Sequence, residues 1–161
     1  MAKKVIRDYG LTTVPIDLDI IFDKNKFQKV EINNPKGIDG AILNIPGKGT
    51  VVAINKAKPF NRIRFTLAHE LGHIFLHHDK RDIYEREGSQ DLEGVTDDEM
   101  PSCAPAKETE ANIFASELLI PLEHLKRYAK QGYDLDKLAE IFQVSRHAMS
   151  IAYNNSWKYL K

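Results

Sequence analysis

The chain has one cysteine, no long apolar run and no net charge, and each shortage narrows the field before any motif is read. The lone Cys103 rules out an internal disulfide, so the 161 residues must cohere by burial, and a single thiol agrees with a reducing compartment. Nowhere do about 18 apolar residues run together, which excludes a membrane-spanning helix. The first residues, MAKKVIRDYG, are basic but lack the apolar stretch of a signal peptide, so a cytoplasmic location is expected. Lys plus Arg balance Asp plus Glu at 23 each, so the chain lacks the cationic excess that nucleic-acid backbones select. What remains is 42% hydrophobic and 29% charged residues, the mixture of a globular protein, at a length that suits a single domain over 1–161.

The zero balance hides an uneven distribution. Residues 1–80 sum to +5, residues 81–121 to −8 and residues 122–161 to +3. The acid is concentrated in Arg81–Met100, which has no sustained apolar period and contains Gly88, Ser89 and Gly94. That stretch reads as a long surface loop, either a plain solvated connection or the rim of a cleft.

Periodicity assigns the rest. Asp17–Phe22 suggests a short helix, and Lys26–Asn33 a first strand. The β-branched runs Gly40–Ile45 and Val51–Asn55, separated by Pro46-Gly47-Lys48-Gly49, read as a hairpin with a loop longer than two residues. Together these give a small three-stranded antiparallel sheet. Beyond Pro59, Ile63, Leu67, Leu71, Ile74 and Phe75 recur at steps of three and four, predicting a helix from near Asn61 to His78. Ala111, Phe114, Ala115, Leu118 and Leu119 predict another before Pro121, with a short one beginning over Leu125–Tyr128. Asp134–Phe142 and Ser145–Tyr153 form a final pair joined at Gln143-Val144, a helix-turn-helix-like element over 133–155. The expected class is α+β, a small sheet packed on a helical bundle.

The chemistry resides in His69-Glu70-Leu71-Gly72-His73. Residues four apart on a helix share a face, about 6 Å apart along the axis, so both imidazoles can converge on one metal ion. Glu70 is turned by about 100° yet stays beside them, where its carboxylate can accept a proton from an attacking water. Gly72 costs about 1 kcal/mol inside a helix relative to alanine, which points to a packing or active-site reason for it.

A catalytic zinc takes three protein ligands and leaves a fourth position open, so a third ligand is needed. On a straight helix His77 lies about 12 Å from His69 along the axis, too far to share an ion. Asp79 occupies the last position of His-Glu-x-x-His-x-x-Gly-x-x-His, but Leu76 stands where the helix-breaking glycine would be. The remaining candidates lie in Glu108-Thr109-Glu110-Ala111-Asn112. Glu108 and Asn112 share a helix face, so one can ligate while the other accepts a hydrogen bond from a ligand histidine. Glu110, turned about 200° from Glu108, ranks behind it. The plain alternative for both is a solvated glutamate at a helix start.

Two segments carry a family resemblance: Arg62-Ile63-Arg64-Phe65-Thr66-Leu67-Ala68-His69-Glu70-Leu71-Gly72-His73, and Glu108-x-x-Ala111-Asn112-x-Phe114-Ala115-x-x-Leu118-Leu119-x-Pro121. They resemble the ImmA/IrrE metallopeptidase family from about Pro59 to Pro121, and more weakly to Tyr153. The Glu-x-x-Ala-Asn element is similar to the Glu-x-x-Ala-Asp of gluzincins, with Asn112 in place of the aspartate. The resemblance implies a zincin-like fold around one Zn2+ per chain held by His69, His73 and Glu108, with Glu70 catalytic and Asn112 orienting a histidine. It further implies an endopeptidase whose protein substrate is a helix-turn-helix repressor of a mobile element or stress regulon.

A reading from another class is a DNA-binding regulator with a structural zinc, using Arg146, His147, Ser150 and Asn154. The +3 charge of the C-terminal third argues against direct DNA binding, and a structural site needs no glutamate beside its ligands. Tyr84, His124, Tyr128, Arg146 and His147 are each chemically able to stabilise an oxyanion. Cys103, five residues before Glu108, is a candidate redox gate on the open metal position, the alternative being an ordinary loop thiol.

Overall fold

The computed structural model describes residues 1–34, 37–78 and 105–160. Among them the elements run α1 (Ala2–Tyr9), α2 (Asp19–Asn25), β1 (Gln28–Ile32), β2 (Gly40–Ile45), β3 (Gly49–Asn55), α3 (Phe60–Phe75), α4 (Pro105–Leu119), α5 (Leu122–Ala129), α6 (Leu135–Phe142) and α7 (Arg146–Leu160). The α+β class with a small three-stranded sheet holds.

The β2–β3 hairpin follows from its turn residues. Pro46 and Gly47 occupy the central positions of a type II turn closed by Lys48 N–H on the Ile45 carbonyl at 3.0 Å, and Gly47 takes the positive φ of 78° that such a turn requires. The pairing of β1 differs from expectation. The sheet order is β1-β3-β2, and β1 runs parallel to β3, with Val30 opposite Ala53. The chain skips a place after β1, lays down β2, and the hairpin then folds β3 into the gap. Asn55 pins this crossover: fully buried, its side chain donates to the Ile38 carbonyl at 2.8 Å and to the Asn34 carbonyl, and accepts from the backbone N–H groups of Asn34 and Ala57.

Central placement buries β3 on both faces. Val52 and Ile54 join the main helical core, while Val51 and Ala53 join a smaller cluster with Ile32, Ile38, Ala41 and Leu43. The main core contains Leu67, Ala68 and Leu71 of α3 and Phe114, Ala115 and Leu118 of α4. These two helices approach closely at Gly72. A Cβ there would stand 3.1 Å from the Ala111 Cα and carbonyl oxygen and 3.2 Å from the Phe114 ring, so the glycine is required by packing. Gly72→Ala is therefore expected to push α4 outward by a few tenths of an ångström, and because α4 carries Glu108, metal affinity should fall while the alanine's helix propensity partly offsets the cost in stability. Parallel measurements of metal affinity and thermal midpoint check this; unchanged affinity would contradict it.

Among the departures from the periodic reading, α1 and the end of α3 bear on the site. α1 was not anticipated; it buries Ala2 and Val5 and sets Tyr9 edge-on against Phe75 at 5.9 Å between ring centroids. α3 ends at Phe75 rather than near His78. Its terminus is a Schellman motif in which the His77 N–H donates to the Ile74 carbonyl at 3.2 Å and the His78 N–H to the His73 carbonyl at 3.1 Å. The left-handed residue this motif needs is His77, at φ 55°, where glycine is usual. No helix among the described residues is long and apolar enough to cross a membrane.

Candidate metal centre

α3 buries Leu67, Ala68 and Leu71 on one side and turns His69 and His73 toward α4. α4 answers with Glu108 from its first turn. The Nε2 atoms of His69 and His73 are 3.0 Å apart, the Glu108 carboxylate lies 3.2 Å from His69 Nε2, and its other oxygen 3.5 Å from His73 Nε2. One ligand atom from each residue falls within a 4.8 Å spread, the sole such grouping among the described residues. For metal–ligand bonds of about 2.0–2.1 Å, a tetrahedral shell has edges of about 3.3 to 3.4 Å. The observed separations bracket that value, so the three groups fit one small cation with little movement.

The surroundings suit neutral imidazole ligands. Burial pushes the His69 pKa down, against the opposing pull of Glu108 and Asn112. Phe65 stacks along its ring at 6.5 Å between centroids. Asn112 Oδ1 lies 3.0 Å from His69 Nδ1, where it accepts the N–H that leaves Nε2 free for a metal. His73 is braced differently: its Nδ1 faces His78 Nδ1 at 2.9 Å, and His78 Nε2 meets Glu110 at 3.1 Å.

Glu70 sits beside the triad. Burial, and next the charge of Glu108, push its carboxyl up to about 8 in the metal-free site. A cation held by the triad opposes both causes. Gly40, at the start of β2, is the close neighbour on the sheet side, where a Cβ would stand 3.6 Å from Glu70 Oε1 and 2.5 Å from the Thr66 methyl.

Of the residues singled out from sequence, the structure thus brings together His69, Glu70, His73, Glu108 and Asn112. His77 stays outside the group: α3 ends at Phe75, and His77, in the left-handed conformation, lies beside Met1 and beside Val5 and Tyr9 of α1. Glu110 meets His78. His78 was missed as a site residue, since a helix continued through 78 would turn it away from His73. His124 and Tyr128 both lie within hydrogen-bonding distance of Arg127, Arg146 pairs with Asp136 at 2.7 Å, and His147 is exposed. Asp79, Tyr84, the acidic segment 81–100 and Cys103 lie outside the described residues.

The family model described as the IrrE N-terminal-like domain, Peptidase_M78, matches residues 29–153. No curated protein matches the chain. Among solved structures, a Mycobacterium tuberculosis transcriptional regulator is similar, with a TM-score of 0.62 at 20% identity over 92% of this chain. The chain spans 44% of that protein's length, and the likeness is one of fold.

Proposed function

The chain belongs to the Peptidase_M78 family, the IrrE N-terminal-like domain, and on that premise we propose that it is a zinc-dependent endopeptidase acting in the cytoplasm on a helix-turn-helix repressor. The observation that carries the reading is the convergence of two imidazole nitrogens and one carboxylate oxygen with a second, partly buried carboxyl beside them. Two histidines and one glutamate form a hydrolytic zinc set, whereas closed structural sites draw mainly on cysteine.

Zinc, when bound, supplies Lewis-acid activation of water and of the scissile carbonyl. Glu70 accepts the proton released by the attacking water and returns it to the leaving amine. Asn112 holds the His69 ring in the tautomer that presents Nε2. An extended substrate segment has a natural track along β2, whose outer edge pairs with no strand among the described residues and whose first residue adjoins Glu70.

The repressor as substrate rests on the family resemblance. A DNA-reading role for α6 and α7 is not favoured by Arg146, which pairs with Asp136. The test is to incubate the zinc-loaded protein with helix-turn-helix repressors, beginning with one encoded beside it, and to map new termini by mass spectrometry. One cut is expected, lost with chelator and restored by zinc. Intact repressors alongside cleaved unrelated proteins would overturn the substrate assignment; no cleavage of either would overturn the peptidase reading.

A further inference from the structure

We propose that His78 and Glu110 are positioning residues for the ligand His73, forming a carboxylate–imidazole–imidazole relay that ends at the metal. The inference rests on the metal-site reading above and concerns what holds the site's geometry.

The proton positions follow from the contacts. His73 presents Nε2 to the shared centre, 3.0 Å from the Nε2 of His69, so that nitrogen must keep its lone pair for a cation. A neutral ring then carries its hydrogen on Nδ1, and the partner there is His78 Nδ1 at 2.9 Å. To accept that N–H, His78 must itself have a bare Nδ1, which places its hydrogen on Nε2. That N–H points to the Glu110 carboxylate at 3.1 Å, an acceptor. For two neutral rings this is the single arrangement that satisfies both contacts and leaves His73 able to ligate. Outer partners of this kind fix the tautomer and orientation of a metal-bound histidine.

The backbone builds the relay. The Schellman turn at the end of α3, with His77 in the left-handed conformation, reverses the chain so that the His78 ring folds back against His73, centroids 5.0 Å apart. The His78 side chain is 5% exposed, whereas Glu110 is 62% exposed. His78 is therefore the member that water cannot replace, and Glu110 the one that it partly can. One helix, α4, thus serves both histidines: Asn112 braces His69 directly, and Glu110 braces His73 through His78.

Zinc affinity by chelator competition tests this, together with long-range proton–nitrogen correlation spectra of the zinc-loaded protein. The expected spectra show His73 protonated at Nδ1 and His78 at Nε2. His78→Ala should weaken zinc binding by about 10- to 100-fold, the usual cost of losing such a partner. His78→Gln, whose amide oxygen can accept the His73 N–H, should recover part of it. Glu110→Ala should cost less than His78→Ala, and His77→Gly, which keeps the turn, should leave affinity unchanged. Tight binding by wild type with His78→Ala within twofold, or His78 protonated at Nδ1, overturns the relay alone. Failure of the wild type to bind zinc overturns the metal reading and the relay with it. If His78→Ala does not fold, the tautomers of the wild-type protein decide the matter.

Discussion

Glu70→Gln is expected to retain one zinc per chain and to cleave its substrate at least a hundredfold, and up to about ten-thousandfold, more slowly, the range general acid–base catalysis typically contributes. The substitution is close to isosteric, and it removes the one property the mechanism asks of the side chain, the capacity to take up a proton. It should not disturb the fold. In the metal-free site the carboxyl is pushed up to about 8, so near neutral pH it is already mostly uncharged, and an amide replaces it with little change in electrostatics. None of the groups that converge on the metal comes from residue 70. Initial rates on the cleaved substrate, metal content and thermal midpoint should therefore separate cleanly, with the rate alone collapsing. Cleavage within tenfold of wild type would remove Glu70 as the base.

Parts of this site were open to reading from the chain because helix geometry is rigid and local. The i, i+4 spacing of His69 and His73 puts both rings on one face, and the same spacing lets Glu108 ligate while Asn112 braces. The cost of Gly72 in a helix pointed to either a packing or an active-site reason, and the structure supplies packing, against Ala111. What escaped the sequence was non-local or lacked a signal. The parallel pairing of β1 with β3 depends on a crossover that no turn motif encodes, and the hairpin signal fixes only β2 against β3. His78 was missed because the chain turns at His77, a histidine in a conformation that glycine ordinarily marks. Rotation around α4 ranks Glu110 behind Glu108 as a ligand, and the structure sets it against His78 instead, a contact that an argument about the metal alone does not reach. α1 was legible and overlooked: Ala2, Val5, Ile6 and Tyr9 lie at helical spacing ahead of Gly10, which caps the helix at φ 69°.

Glu108→Ala should abolish tight zinc binding, since it leaves two imidazoles where a catalytic site needs three protein ligands. The effect is separable from damage to the fold because of where Glu108 sits. Its side chain is 40% exposed, outside the core, and its charge is one of the two causes that raise the Glu70 carboxyl. Its contacts to His69 and His73 lie at the partly exposed site, so the metal-free variant should stay close in stability to metal-free wild type. The difference appears only with metal. A ligand that binds the native state alone contributes about 2.7 kcal/mol at a hundredfold excess over its dissociation constant. For a chain of this length, each kcal/mol raises the thermal midpoint by about 2 to 4 °C, so zinc should raise that of wild type by about 5 to 11 °C. Glu108→Ala should show almost none of that rise. Glu110→Ala should retain most of it, because Glu110 acts at one remove, through His78, and is largely exposed to water that can take its place. The reverse pattern, with zinc lost on changing Glu110 and kept on changing Glu108, would transfer the ligand role to Glu110 and contradict the packing of α4 against α3.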